Sequence, residues 1–268
     1  MRPFGAAAPA RSRHYRVCMG SAQRRVRRPG AVLAAVAAVG LVAGCAGGGS
    51  GGGKAAGSSP AASSSSGSVT GSQLTKGLLP ADAFGTDATV VGLTLEQLKQ
   101  STATLGSGST AGMQVDPPSC AAAVQGTSPN LDQVDDLAAQ SATGPSGATV
   151  EALMTGSPVK GAAEKLRGNA AACPQATVTT PSSGTVTLTF RSIPLKAMGS
   201  DAAAVQLTTT LTKPDGSTLS VPALLGAVED HHRLLLLITA GTGGAAPDQG
   251  AFTALLEKAY STQASALD

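Results

Sequence analysis

The 268-residue chain has no tryptophan, and from Cys45 onward its only aromatic residues are Phe84, Phe190, Phe252 and Tyr260. Sites that grip sugars or single-stranded nucleic acid lean on aromatic stacking, and this chain has little to stack with. Acidic residues are missing before Cys45, where eight of the 19 Lys and Arg lie; all 16 Asp and Glu come after it. The formal +3 of the whole chain therefore hides a remainder with 11 basic against 16 acidic side chains, a net of −5. That balance leaves no basic footprint for phosphates and argues against nucleic acid as a partner. It argues equally against a polybasic grip on anionic lipid headgroups.

What the first 45 residues do contain is a graded pattern. Met1 to Arg28 is rich in arginine, and Ala31 to Ala43 is apolar but too short to span a bilayer. Together they read as the charged and apolar regions of a secretory signal. Met19 gives a signal of more ordinary length than Met1 does. Arg24-Arg25 raises twin-Arg export beside the general route, although Arg27-Arg28 stand where apolar residues would follow such a pair. The segment ends in Leu41-Val42-Ala43-Gly44-Cys45, which resembles the lipobox of bacterial lipoproteins. Small residues at Ala43 and Gly44 suit the peptidase, and Cys45 supplies the thiol that is acylated. The resemblance implies a signal peptide over residues 1–44 and a diacylglyceryl group, with palmitate-type chains, on Cys45. Each buried CH₂ adds about 0.8 kcal/mol, and two chains give durable attachment.

Residues 46–72 are Gly, Ser and Ala with almost nothing else. Such a stretch buries too little apolar surface to offset its ordering entropy. Residues 45–72 are therefore expected to form a tether, which holds whatever follows on the order of 30 Å from the lipid.

Residues 73–268 are long enough for one domain with a proper core. Leu78-Leu79-Pro80 with Phe84 forms an apolar lead-in. Residues 94–100 suggest a short helix and 101–112 a loop, and Pro117-Pro118 stops any strand ahead of a short helix from Cys120. Two alternating segments, 133–143 and 148–154, flank the turn Gly144-Pro145-Ser146-Gly147 and predict a hairpin. Ser157-Pro158 reads as the cap and first position of a helix with an apolar stripe of Val159, Ala162, Ala163, Leu166 and Ala170. Val186, Leu188 and Phe190 alternate with threonines, and Val205 to Leu211 repeats the pattern. The turn Lys213-Pro214-Asp215-Gly216 leads into a partner strand over 218–228. Leu234 to Ile238 is a continuous apolar run, the mark of a central strand. Pro247-Asp248 starts a last helix whose buried face is Phe252, Leu255, Leu256, Ala259 and Tyr260. The expected class is α+β, an antiparallel sheet with helices packed on one face.

Cys120 and Cys173 are the cysteines left once Cys18 goes with the leader and Cys45 takes lipid. In an exported domain their default is one disulfide. A two-cysteine metal site is the alternative, and it lacks further ligands.

The lead-in Leu78-Leu79-Pro80, the segment Val115-Asp116-Pro117-Pro118-Ser119-Cys120, a hairpin, a helix ending at Cys173, then strands and a closing helix resemble the extracellular sensor domain of the mycobacterial kinase PknH and its lipoprotein relatives. The resemblance spans residues 73–268 and implies a domain that binds an extracellular ligand in a cleft. That family's second disulfide has no counterpart, since no cysteine follows Cys173.

Chemistry-bearing clusters are sparse. His231-His232 with Glu229 and Asp230 is the densest polar group, to be weighed as a metal or acid/base site against a solvated turn. A Ser-His-Asp arrangement needs one of these histidines and an unmarked serine. Asp135-Asp136 reads as a solvated turn. No cofactor and no metal are expected. The function expected is a non-enzymatic, lipid-anchored domain on the extracytoplasmic face of a high-GC Gram-positive (actinobacterial) cell membrane, binding a small ligand or an envelope protein. The alternatives are a cell-envelope hydrolase using His231 or His232, and a lipid carrier.

Overall fold

The computed structural model describes residues 72–99, 113–125, 131–180, 184–213 and 215–268. The expected signal peptide, Cys45, the tether apart from Ser72, the 101–112 loop and Pro214 lie outside the described residues.

Among the described residues, nine strands make one sheet. They are β1 (Thr89–Leu93), β2 (Gln114–Asp116), β3 (Val134–Gly144), β4 (Gly147–Gly156), β5 (Gln175–Thr180), β6 (Gly184–Ile193), β7 (Asp201–Thr212), β8 (Thr218–Asp230) and β9 (Arg233–Gly241). Their order across the sheet is β1-β3-β4-β9-β8-β7-β6-β5-β2, and every neighbouring pair is antiparallel. The helices are α1 (Ala121–Gln125), α2 (Ala162–Ala172) and α3 (Gln249–Leu267). Residues 95–99 add a helical turn, started by a reciprocal cap between Thr94 and Gln97.

The hairpin forms where the turn residues place it, with Gly144 opposite Gly147. Only glycine fits at 147: its φ is 147°, and a Cβ there would lie 2.1 Å from the Ala240 carbonyl oxygen. The apolar run is β9, seated between β4 and β8. Pro222 does not break β8, because the β9 ladder begins only at Ala223. Strands β1 and β5 lie outside the expected elements: β1, Thr89-Val90-Val91-Gly92-Leu93, is too short to show a period, and β5 alternates Gln175, Thr177 and Thr179 with Ala176 and Val178 in only six residues.

Helices cover both faces of the sheet, which corrects the one-face expectation. Leu235 and Leu237 of β9, with Leu153, Leu224 and Val228, pack against Phe252, Leu256 and Ala259 of α3 and against Leu74 and Leu79. Leu234 points the other way and joins Leu137, Met154, Ala227, Val159 and Ala163 beneath α2. The second layer continues through Leu188, Phe190 and Val205 to Ala170. Adjacent strand residues face opposite sides. A continuous leucine run therefore makes both sides apolar, and both need a cover.

The α2 start also differs from expectation. The helix begins at Ala162, after Gly161 at φ 76°, and no side chain of its own caps it. Cys173 is its C-cap and is bonded to Cys120, with Cα atoms 5.4 Å apart and 53 residues of separation. Both cysteines are buried, and closing a loop of that length is worth about 4 kcal/mol through the unfolded chain. Asp248 caps α3 as expected, its Oδ1 accepting the Ala251 N–H at 2.6 Å.

Gln263 of α3 is fully buried, and neither its Nε2 nor its Oε1 has a partner. A buried amide without hydrogen bonds costs about 1–3 kcal/mol. Gln263→Met, similar in volume, should therefore raise unfolding stability in urea by about 1–2 kcal/mol. A loss of stability would show that the amide is bonded in solution.

Candidate functional site

The histidines occupy the two-residue turn that joins β8 to β9, with Asp230 paired to Arg233 across it. Both are exposed, and His231 takes a positive φ of 54°, uncommon for a residue with a side chain. The solvated-turn reading of this pair holds. Around it sits a compact charged knot. Asp230 is buried and accepts from Arg233 Nη2 at 3.2 Å, while its other oxygen lies 3.0 Å from His231 Nδ1. The same Arg233 nitrogen donates to Asp268 at the end of α3. Arg233 is 5% exposed. Burial works against its charge, but the Asp268 and Asp230 carboxylates outweigh burial and hold its pKa above the ordinary value. The hydrogen bond from Arg233 in turn holds the Asp268 carboxyl below its usual range.

Ligand atoms of Asp230, His231 and Asp268 lie within 4.8 Å of one another. A cation there would face the Arg233 guanidinium, which already engages both carboxylates. The knot is thus an ion-pair clasp holding the end of α3 to the β8–β9 hairpin. Among the described residues, the hydrogen-bond partner of the His231 ring is Asp230, and no serine hydroxyl meets either imidazole. No Ser-His-Asp arrangement is assembled there.

Glu229, the first member of the sequence cluster, acts elsewhere. Its carboxylate accepts the Gly161 N–H at 3.0 Å and the Ala163 N–H at 2.7 Å. It is the cap that α2 lacks in its own sequence, placed where the helix dipole favours an anion. Its backbone oxygen also receives the Ser200 N–H at 2.8 Å and the Ser200 hydroxyl at 3.1 Å. Gly199 makes that approach possible: its φ is 57°, and a Cβ would lie 2.1 Å from the same oxygen.

Those contacts shape a recess of about 460 Å³, built by residues 192–204 at the β6–β7 connection together with Arg167. Arg167 reaches from α2 to Asp201 at 2.5 Å and to the Ala202 carbonyl at 3.0 Å. Lys196 reaches to Glu257 of α3 at 3.2 Å. The connection is therefore tied to the helices on both faces of the sheet. Its lining joins Ile193, Leu195 and Met198 to Ser192, Ser200, Lys196 and the Arg167–Asp201 pair. A recess of this size admits a small molecule. It is not the enclosed aliphatic cavity that a lipid carrier needs. A second hollow, about 470 Å³, is a shallow strip on the outer side of α3 lined by Lys258, Ser261, Thr262, Ser265 and Ala266.

Cys120 and Cys173 are brought together as a disulfide. The candidate that sequence reasoning missed is Glu151 of β4, fully buried beside Gln140 and the backbone of Leu79. The available signal was a lone acid inside an apolar strand, Val150-Glu151-Ala152-Leu153-Met154.

No protein-family model matches the chain, and no curated protein matches it closely. Among solved structures it is similar to an uncharacterized protein (the Rv0999 ortholog) from Mycobacterium smegmatis. The identity is 12% and the TM-score 0.44, over 70% of this chain and 95% of that one. It is also similar to the extracellular domain of PknH from Mycobacterium tuberculosis, at 12% identity and TM-score 0.35, over 68% and 92% of the two chains.

Two variants, one single and one double, separate the cap from the turn. Glu229→Ala should cost about 1–2 kcal/mol in chemical denaturation, the usual loss for a helix cap. His231→Ala with His232→Ala should stay within about 0.5 kcal/mol, as exposed positions do.

Proposed function

We propose that the chain is a lipid-anchored, extracytoplasmic binding domain without catalytic activity, which takes a small ligand in the β6–β7 recess. The observation that carries the reading is the buried Cys120–Cys173 disulfide. Such bonds form and persist in oxidising compartments. The lipobox-like Leu41-Val42-Ala43-Gly44-Cys45 supports export and supplies the anchor; the Gly/Ser-rich stretch after it supplies reach. The recess supplies a place for the ligand. Its lining includes the Arg167–Asp201 pair and the exposed Lys196, which meets Glu257, beside the apolar Ile193, Leu195 and Met198. That combination suits a small molecule with one anionic group and an aliphatic body. An envelope protein presenting such a group would fit the same description.

Mass measurement of the matured protein should find Cys45 at the N-terminus carrying diacylglycerol, and Cys45→Ala should abolish the lipid and membrane partitioning. An intact leader or an unmodified Cys45 thiol contradicts the anchored reading. For the site, titrating the full chain with short-chain carboxylates should shift NMR signals of residues 192–204, and Arg167→Ala should weaken binding at least tenfold. The hydrolase alternative requires turnover of envelope esters that His231→Ala and His232→Ala abolish; no turnover by the unmutated chain ends it.

A further inference from the structure

Residues 72–84 cross the sheet as a strap of two 3-10 turns, Gln73–Gly77 and Ala81–Phe84, on the face that α3 also covers. Leu74 and Leu79 sink into that core layer. At Leu79 the strap is also held through its backbone by a polar clamp. Gln140 of β3 and Glu151 of β4 stand directly opposite each other in the ladder. Glu151 accepts the Leu79 N–H on both oxygens, at 3.2 and 3.1 Å. Gln140 Nε2 donates to Glu151 Oε2 at 2.6 Å and to the Leu79 carbonyl at 2.8 Å. One peptide segment of the strap is thus gripped through both its N–H and its C=O, and Glu151 is completely covered.

Among the described residues, no cation neutralises the buried carboxyl. On the strap, Lys76 is exposed and donates to Gln73, and Asp82 is exposed. On β3, Asp135 is exposed and Asp136 receives the Ser72 hydroxyl. On β9, Arg233 is engaged with Asp230 and Asp268. On α3, Glu257 meets Lys196, and Lys258 lies on the outer side. None of these groups bonds to Glu151, and β4 carries no other charge. The hydrogen bonds that reach Glu151 are all donated to its oxygens and favour the carboxylate, whereas complete burial without a cation favours the neutral acid; burial outweighs them while the strap is down, and the group ionises at its ordinary value once the strap lifts and water reaches it.

We propose that the strap is a pH-sensitive latch, tightened when Glu151 takes up a proton and loosened when it gives that proton up. The direction follows from linkage. Burial pushes the Glu151 carboxyl up from 4.5 to about 6, with the Gln140 and Leu79 hydrogen bonds pulling partly back. The closed strap thus binds the proton more tightly than the open one. Its extra hold is fully present below pH 4.5 and is lost as the pH rises through 6. A shift of that size changes the opening equilibrium about 30-fold. The latch needs no ligand in the β6–β7 recess. In the anchored reading, the strap is also where the tether enters the domain, so a loosened latch extends the tether.

Amide hydrogen exchange of the full chain from pH 4 to 7.5, corrected for intrinsic rates, reads the opening directly. Leu74 and Leu79 should open about 30-fold more readily at the upper end, while β9 amides should not share that slope. Glu151→Gln, permanently neutral, should flatten the strap profile to within threefold and protect the strap about 30-fold better than the native residue at pH 7.5. A flat native profile, a slope shared with β9, or the same slope in E151Q overturns the proposal. Carbon-13 titration of the Glu151 carboxyl in the native chain needs no variant. A midpoint near 6 supports the latch, and one at or below 4.5 overturns it.

Discussion

Strand β9 has leucines on both faces and lies inside the sheet, between β4 and β8, so neither face can be left to water. Leu234, Leu235 and Leu237 are essentially inaccessible. Full burial of each such side chain contributes about 1.5–3 kcal/mol. A sheet with one wet face would forfeit either Leu234 or both Leu235 and Leu237. Two covers are therefore obligatory, and the rest of the chain supplies them. Helix α2 lies on one side, and α3 shares the other with the strap.

Each cover is fastened by chemistry that comes from a distant part of the sequence. The disulfide fixes the end of α2 and Glu229 caps its start. Helix α3 is clasped through Arg233 and Asp268 at one end and meets Lys196 through Glu257. The strap is gripped by Glu151 and Gln140. The clasps differ in kind. The disulfide acts mainly on the unfolded chain, the exposed Lys196–Glu257 pair contributes little, and Glu151, buried without a cation, holds the strap less well when it is charged because its hydrogen bonds offset burial only in part. The recess lies where the fastenings of α2 and α3 converge, at the β6–β7 connection. This gives the candidate ligand site a rigid frame on both sides of the sheet.

Local chemistry made several elements legible in the sequence. Gly144-Pro145-Ser146-Gly147 announces its hairpin, Asp248 its helix and Leu234 to Ile238 the central strand. Relations between distant segments were not legible. Nothing near Ser157-Pro158 says that the helix cap comes from Glu229, because that depends on β8 ending beside α2. The polar cluster at 229–232 marked the right place but the wrong actors. Arg233, which looks like an ordinary strand residue, and Asp268, 35 positions away, complete the clasp, while the histidines stay in solvent. Glu151 was hidden for the same reason: its importance depends on the strap that covers it. The one-face expectation failed although the leucine run already implied two apolar sides.

The two-sided demand of β9 is most directly tested by paired truncation of neighbours that point in opposite directions. Leu234→Ala and Leu235→Ala, each measured by urea unfolding, should both cost about 2–5 kcal/mol, the range for a leucine removed from a closed core. A large loss for one with less than about 0.5 kcal/mol for the other would mean that a single face is buried, and would contradict the account.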